Sequence, residues 1–214
     1  MALPILHIGD KNYSSWSMRP WLAFKHGGIE FEERQHALPD IGGKPSFGAI
    51  SPNARMPALD WQGVTIAESL AICEWAAEQQ PSLWPKDAKT RALARPAASI
   101  MHSGFANLRN DAPFNIRRRT DAGRMTPDGR ADAQRVDELW SQWLQQSGGP
   151  FLFGQWSIAD AMYAPVVTRF ITYAIPRSPA AQRYIDTTVA EPHTAAWIAG
   201  AMKETRLLPR SDKA

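Results

Sequence analysis

The order of hydrophobic periods along the chain predicts an α/β plus all-α fold, in which a small mixed domain is followed by a larger, wholly helical one. Three observations carry this expectation. The first 80 residues alternate short apolar runs with helical patterns, in the order strand, helix, strand, loop, hairpin, helix. The segment "PSLWPKDAKTR" carries two prolines and a capping aspartate, the composition of a connector. Beyond it nearly every segment repeats its apolar residues at helical spacing. The expected division is residues 1–80, a connector at 81–90, and residues 91–214.

Taken in order, "PILHIG" is a short buried strand and "SMRPWLAFKHGG" a helix that Gly27 and Gly28 end. "IEFEERQHAL" reads as a more exposed strand, and "RMPALDWQGVTIA" as two strands joined at Gln62 and Gly63. "ESLAICEWAAEQQ" is the next helix. After the connector, where Asp87 is the expected cap, Thr126 and Pro127 open a long helix. Its Val136, Leu139, Trp140, Trp143 and Leu144 share one face, and Gly148, Gly149 and Pro150 stop it. In "SIADAMYAPVVTRF" Ser157 and Asp160 have the spacing of a capping box, and Pro165 is expected to kink the helix. Neither repeats nor low-complexity segments interrupt the pattern.

Composition excludes several function classes. The 24 basic and 21 acidic residues leave a net charge of +3, with no basic block beyond Arg117, Arg118 and Arg119, so a nucleic-acid partner is not expected. That triplet reads as a solvated surface turn before it reads as a phosphate site. One cysteine, Cys73, rules out an intramolecular disulfide framework and a cysteine-rich metal site, and points to a reducing cytoplasm. The apolar start "MALPILHIG" is too short for a secretory signal, and no run reaches the roughly 18 apolar residues of a membrane span, so a soluble chain without membrane association is expected. None of the five histidines stands in a nucleophile-elbow or zinc-helix pattern, so neither a hydrolase triad nor a metal is expected. Cys73, inside a helix, reads as a small buried apolar residue.

Chemistry is concentrated at three junctions of the first 80 residues. Glu68 and Ser69 stand where a strand passes into a helix: free amides and a hydroxyl there suit a carboxylate, and Glu68 an ammonium, together matching an amino-acid head group. The same pair also reads as an ordinary helix cap. In "ARMPAL", a cis Met56–Pro57 bond would offer the Met56 backbone to an extended peptide, and a trans proline would merely mark a strand edge. In "NYSSWSMRPW", the hydroxyls of Ser14 and Ser15 lie ahead of a helix whose positive end stabilises a thiolate, with Ser17 read as the helix cap.

In this order and spacing, the three motifs make the chain resemble the glutathione transferase family over nearly its whole length. "NYSSWSMRPWLAFKHGGIEFE" is similar to the zeta-like and related bacterial serine-type members, "SPNARMPAL" to the family's loop before its proline, "ESLAICEW" to its glutamate–serine motif, and "SIADAMYAPVVTRF" to its helical capping box. The resemblance implies a thioredoxin-like first domain, glutathione as co-substrate, no metal, and a cytoplasmic homodimer that detoxifies small electrophiles by transferring alkyl or aryl groups. It implies that Ser14 or Ser15 activates the thiol beside Trp16, that Met56 before Pro57 contacts the peptide backbone, that Glu68 and Ser69 anchor the γ-glutamyl end, and that Lys44 reaches the glycine carboxylate. Spacing to Arg19 favours Ser15, the zeta precedent favours Ser14, and Tyr13 is a third candidate. Phe105 and Asn115, in a segment recurring in a bacterial branch, are expected along the second-substrate pocket, with core packing the other reading of Phe105. Trp16 stands where zeta enzymes carry cysteine. Conjugation is therefore the first expectation, with a glutathione-dependent isomerase of the maleylacetoacetate type, or a non-enzymatic binding protein on the same fold, as alternatives.

Overall fold

The computed structural model describes residues 2–39, 47–209 and 212. Strand β1 (Ile5–Gly9) leads into helix α1 (Ser15–His26) and returns as β2 (Glu32–His36). Strands β3 (Ala58–Trp61) and β4 (Val64–Ala67) form the hairpin, and α2 (Ser69–Gln79) follows. The sheet order is β2-β1-β3-β4, with β1 parallel to β2 and antiparallel to β3, and β3 antiparallel to β4. A parallel pair needs a crossover, and α1 supplies it. This mixed sheet with its helices is the thioredoxin-like arrangement, and a helical domain succeeds it.

The helical domain comprises α3 (Ala88–Ser103), α4 (Ala106–Asp111), α5 (Pro127–Ser147), α6 (Ile158–Thr172), α7 (Pro179–Ala190) and α8 (Pro192–Lys203). The Asp87 carboxylate caps α3 at Thr90 N–H, and Thr126 Oγ1 caps α5 at Gly129 N–H. Gly148, at φ 65°, closes α5 in the left-handed conformation that its lack of a Cβ allows. Helix α6 is buried along almost all its length and runs unbroken through Pro165. One continuous apolar core joins both parts, from Leu6, Leu22 and Phe24 through Trp75 to Trp140, Tyr163 and Phe170.

Asp160, fully buried, accepts hydrogen bonds from Ser157 N–H, Leu152 N–H and the Tyr184 hydroxyl. Burial holds its carboxyl up at about 6 against the pull of those bonds. The folded state then keeps a proton between about pH 4 and 6 that the unfolded chain has released, so this group stabilises the fold more as pH falls through that window. Asp160→Asn removes the slope and faces Ser157 N–H with an amide NH2. We expect a loss of about 1–2 kcal/mol at neutral pH in urea denaturation.

Of the arginine triplet only Arg119 is the exposed turn residue expected; Arg117 and Arg118 are half-buried and reach across the chain. Arg117 donates to the backbone oxygen of Glu204 and to the Tyr13 hydroxyl (2.9 Å), Arg118 to Asp212 O, and Arg119 to Ile116 O. The segment after α8 presses back on the first domain. Glu204 accepts Lys11 N–H (2.7 Å) and Asn12 N–H (2.9 Å), and Arg206 pairs with Asp10 at 2.7 Å. This strap fixes the turn from which α1 departs.

Candidate functional site

Strand register brings the three junctions to one end of the sheet. His7 pairs with Ala58, and Ala58 with Ala67. Carrying the registers on by a step or two sets Gly9, where the turn into α1 begins, beside Met56–Pro57, and Pro57 beside Glu68. Chain segments 50 residues apart thus share one rim.

The turn closes when Asp10 O accepts the N–H groups of Tyr13 and Ser14. Ser14 caps α1, its Oγ accepting Ser17 N–H at 3.3 Å and donating to Ser17 Oγ at 2.7 Å. Ser17 Oγ in turn accepts Gly9 N–H at 3.0 Å. The helix therefore starts two residues earlier than its apolar pattern predicts, and Ser17 is not its cap. It is a bridge from the first turn of α1 back to β1. The hydroxyl proton of Ser14 is committed inside this chain of bonds. Ser15, the first residue of α1, has no hydrogen-bond partner for its hydroxyl among the described residues. It stands where the helix's leading N–H groups have no intrahelical acceptors.

The Met56–Pro57 bond is cis, which the sequence left open, and neither the N–H nor the C=O of Met56 is engaged among the described residues. Glu68 holds φ 85°, a conformation rare for a side-chain-bearing residue and concentrated at ligand clamps. Its Oε2 accepts Leu70 N–H at 3.2 Å and faces His102 Nε2 at 3.3 Å. Ser69 is fully buried, and its hydroxyl has no partner among the described residues. A cap alone would account for Glu68. It leaves the orphaned Ser69 hydroxyl unexplained, because a buried polar group without a partner costs about 1–3 kcal/mol.

Two residues that sequence reasoning did not place in the site complete it. His102, in the last turn of α3, links Glu68 to the Trp16 ring, which it meets edge-on at 5.5 Å. Arg19, one helical turn after Ser15, is wholly buried beneath Trp16, its guanidinium carbon 3.9 Å from the ring centroid. None of its three nitrogens has a hydrogen-bond partner among the described residues. Burial, then repulsion from Arg169 and Arg109, pulls it down to about 9, so it stays charged at neutral pH. Spacing alone flagged Arg19; no pattern in the sequence marks a buried, unpaired cation. Cys73, fully buried, has its thiol pushed up by that burial and remains protonated, as its expected apolar role requires.

The other candidates have partners of their own. The Tyr13 hydroxyl accepts from Arg117 and donates to Asp212, and is spent on holding the C-terminal strap. Asn115 is buried, its carboxamide bonded to Asn12 (3.0 Å) and Asp212 (2.8 Å), which makes it a brace between domains where a pocket wall was expected. The network, invisible to local spacing, crosses about 100 residues of chain. Phe105 caps α4 at φ 57° and packs on the core, in line with the other reading of it. Lys44 lies outside the described residues.

Known proteins resemble this chain in sequence and in fold. Residues 13–79 match the family model described as "Glutathione S-transferase, N-terminal domain". The chain is 29% identical over 182 residues to a maleylacetoacetate isomerase of Rattus norvegicus, covering 82% of each. It is 36% identical to that of Mus musculus over 112 residues, about half of either chain. A solved glutathione transferase homologue from Burkholderia, with bound glutathione, superposes with a TM-score of 0.74 over 95% of this chain and 100% of its own, at 23% identity.

Proposed function

We propose that the chain, whose residues 13–79 match the N-terminal domain of the glutathione S-transferases, binds glutathione along the rim, holds its sulfur as a thiolate against Ser15, and joins it to a small electrophile. The observation that carries this reading is the division of labour between the serines: Ser14 has spent its hydroxyl on capping, and Ser15 has not. The Ser15 hydroxyl would lower the thiol pKa by donating to sulfur, so no general base is needed to deprotonate the serine. The sulfur lone pair then forms the C–S bond. The electrons of the bond that breaks leave with the departing group, or, at a conjugated carbonyl, pass to oxygen and are quenched by a solvent proton.

The remaining contacts follow from what is left unpaired. Ser69 Oγ and the first N–H groups of α2 suit the γ-glutamyl carboxylate, Glu68 its ammonium, and the N–H and C=O of Met56 the cysteinyl backbone. Trp16, seated on the Arg19 cation, forms the wall beside the sulfur. The thiolate is itself the nucleophile, so this chemistry needs no metal.

Calorimetric titration with glutathione tests the reading: one site per chain at millimolar affinity or better is expected, and no heat up to about 10 mM would overturn it. Ser69→Ala should weaken that binding by about tenfold, the worth of one hydrogen bond to a charged group. Wild-type affinity in the variant would remove Ser69 from the γ-glutamyl anchor.

A second reading is supported by the maleylacetoacetate isomerases among the relatives. There glutathione would add to a conjugated double bond, allow rotation, and leave again unchanged. The two are separated by whether glutathione is consumed.

As a free-thiol chain the protein would work in the cytoplasm in detoxification, and as a homodimer. Leu93 and Ile100, two turns apart on α3, remain 58% and 41% exposed and suit contact with a second copy. Light scattering should return twice the chain mass, and Leu93→Glu should halve it.

A further inference from the structure

Helix α1 ends about 16 Å from the serines, and there a second cluster gathers. His26, the last residue of α1, meets Glu191 and His193 at the start of α8. One carboxylate oxygen and two ring nitrogens lie within 4.8 Å of one another. The family site uses none of them.

Two of the three donors are already held in place. His26 is stacked face to face on Trp156, with centroids 3.5 Å apart, and His193 meets it edge-on at 4.8 Å. His26 Nε2 is shut from solvent and faces Glu191 Oε1 at 3.2 Å. The Glu191 carboxylate is held by His193 N–H at 2.8 Å and Thr194 N–H at 2.7 Å. Each oxygen keeps a lone pair beyond the one that backbone bond uses. Lys25, whose charge bears on His193, keeps its ammonium over the Phe31 ring at 4.9 Å and the Trp21 ring at 5.4 Å.

Two imidazoles and one carboxylate form a zinc donor set, with the fourth tetrahedral position left to water. Bonds of about 2.0–2.1 Å require donor atoms about 3.3 Å apart. His26 and Glu191 stand at that separation already. Half-buried His193 needs only to swing inward to close the set.

We propose that His26, Glu191 and His193 form a zinc site that clamps α1 of the first domain to α8 of the second. The clamp is structural and lies apart from the thiol chemistry, so it stands whether or not Ser15 activates glutathione.

The test uses the untagged, chelator-stripped full chain without glutathione. Zinc is titrated against a chromogenic chelator near neutral pH, with the thermal midpoint read in parallel. One zinc per chain at micromolar affinity or tighter is expected, together with a raised midpoint. His26→Gln and His193→Gln should each weaken uptake by at least about 100-fold, the upper end of what the loss of an outer hydrogen bond costs, and abolish the rise in midpoint. His193→Gln removes a half-exposed ring and should leave the fold and glutathione binding intact. Failure to take up zinc at about 100 µM, or wild-type affinity in both variants, would overturn the assignment.

Discussion

Ser15→Ala is expected to leave glutathione bound within a few-fold of wild type while lowering turnover at neutral pH by about 10- to 100-fold and removing most of the thiolate absorbance of the complex. A free thiol near pKa ~8.5 must fall by about two units to be mostly ionised at pH 7, roughly 2.7 kcal/mol of differential stabilisation. A hydroxyl bond to a charged acceptor supplies ~1.5–3 kcal/mol and a helix N-terminus ~0.3–1. Removing the larger contribution returns the thiol most of the way to its solution value. Ser14→Ala is the control. Its hydroxyl bonds to Ser17 and caps α1, so it should lose about 1 kcal/mol of stability and keep the thiolate signal. The reverse result, with Ser14→Ala abolishing the signal and Ser15→Ala sparing it, would exchange their roles.

Arg19→Met should make the unliganded protein more stable and the enzyme worse. A guanidinium wholly buried with no hydrogen-bond partner among the described residues is a poorly compensated charge, eased by the Trp16 face above it and by the more distant Glu68 carboxylate. Replacing buried charge with apolar volume is often neutral or stabilising by about 1–4 kcal/mol, and urea denaturation at pH 7 should show a gain in the lower half of that range. The same cation lies one turn below Ser15 and raises the potential at the rim, together with Arg169 and Arg109, whose charges already oppose it. Its loss should raise the bound thiol by on the order of one unit, about 1.4 kcal/mol. Kinetics should show a fall in kcat larger than any rise in KM. A destabilised variant with an unaltered thiol would make Arg19 a packing residue only.

Much of the fold was legible because it is written in local periods. The strand-helix-strand order, the hairpin at Gln62 and Gly63, and the caps at Asp87 and Thr126 all follow from residues within one turn of each other. The rim was legible for the same reason, since its residues sit at strand ends that register then aligns. Long-range polar satisfaction was not. Nothing near Asn115 announces Asn12 or Asp212 as its partners, and nothing near Arg117 announces Tyr13. Ser17 was misread because a hydroxyl three residues into a helix and one at its cap look alike until Gly9 N–H is seen to claim it. Arg19, His102 and the His26 cluster share a further difficulty. Their character lies in which partners are missing or which helices meet, and neither has a sequence period.

The central claim is that the protein holds the sulfur of bound glutathione as an anion at neutral pH. Ultraviolet difference titration of the wild-type complex against pH measures this directly. An apparent thiol pKa near 6.5, about two units below the free value, is the predicted result; a bound thiol that still titrates near 8.5 would contradict it.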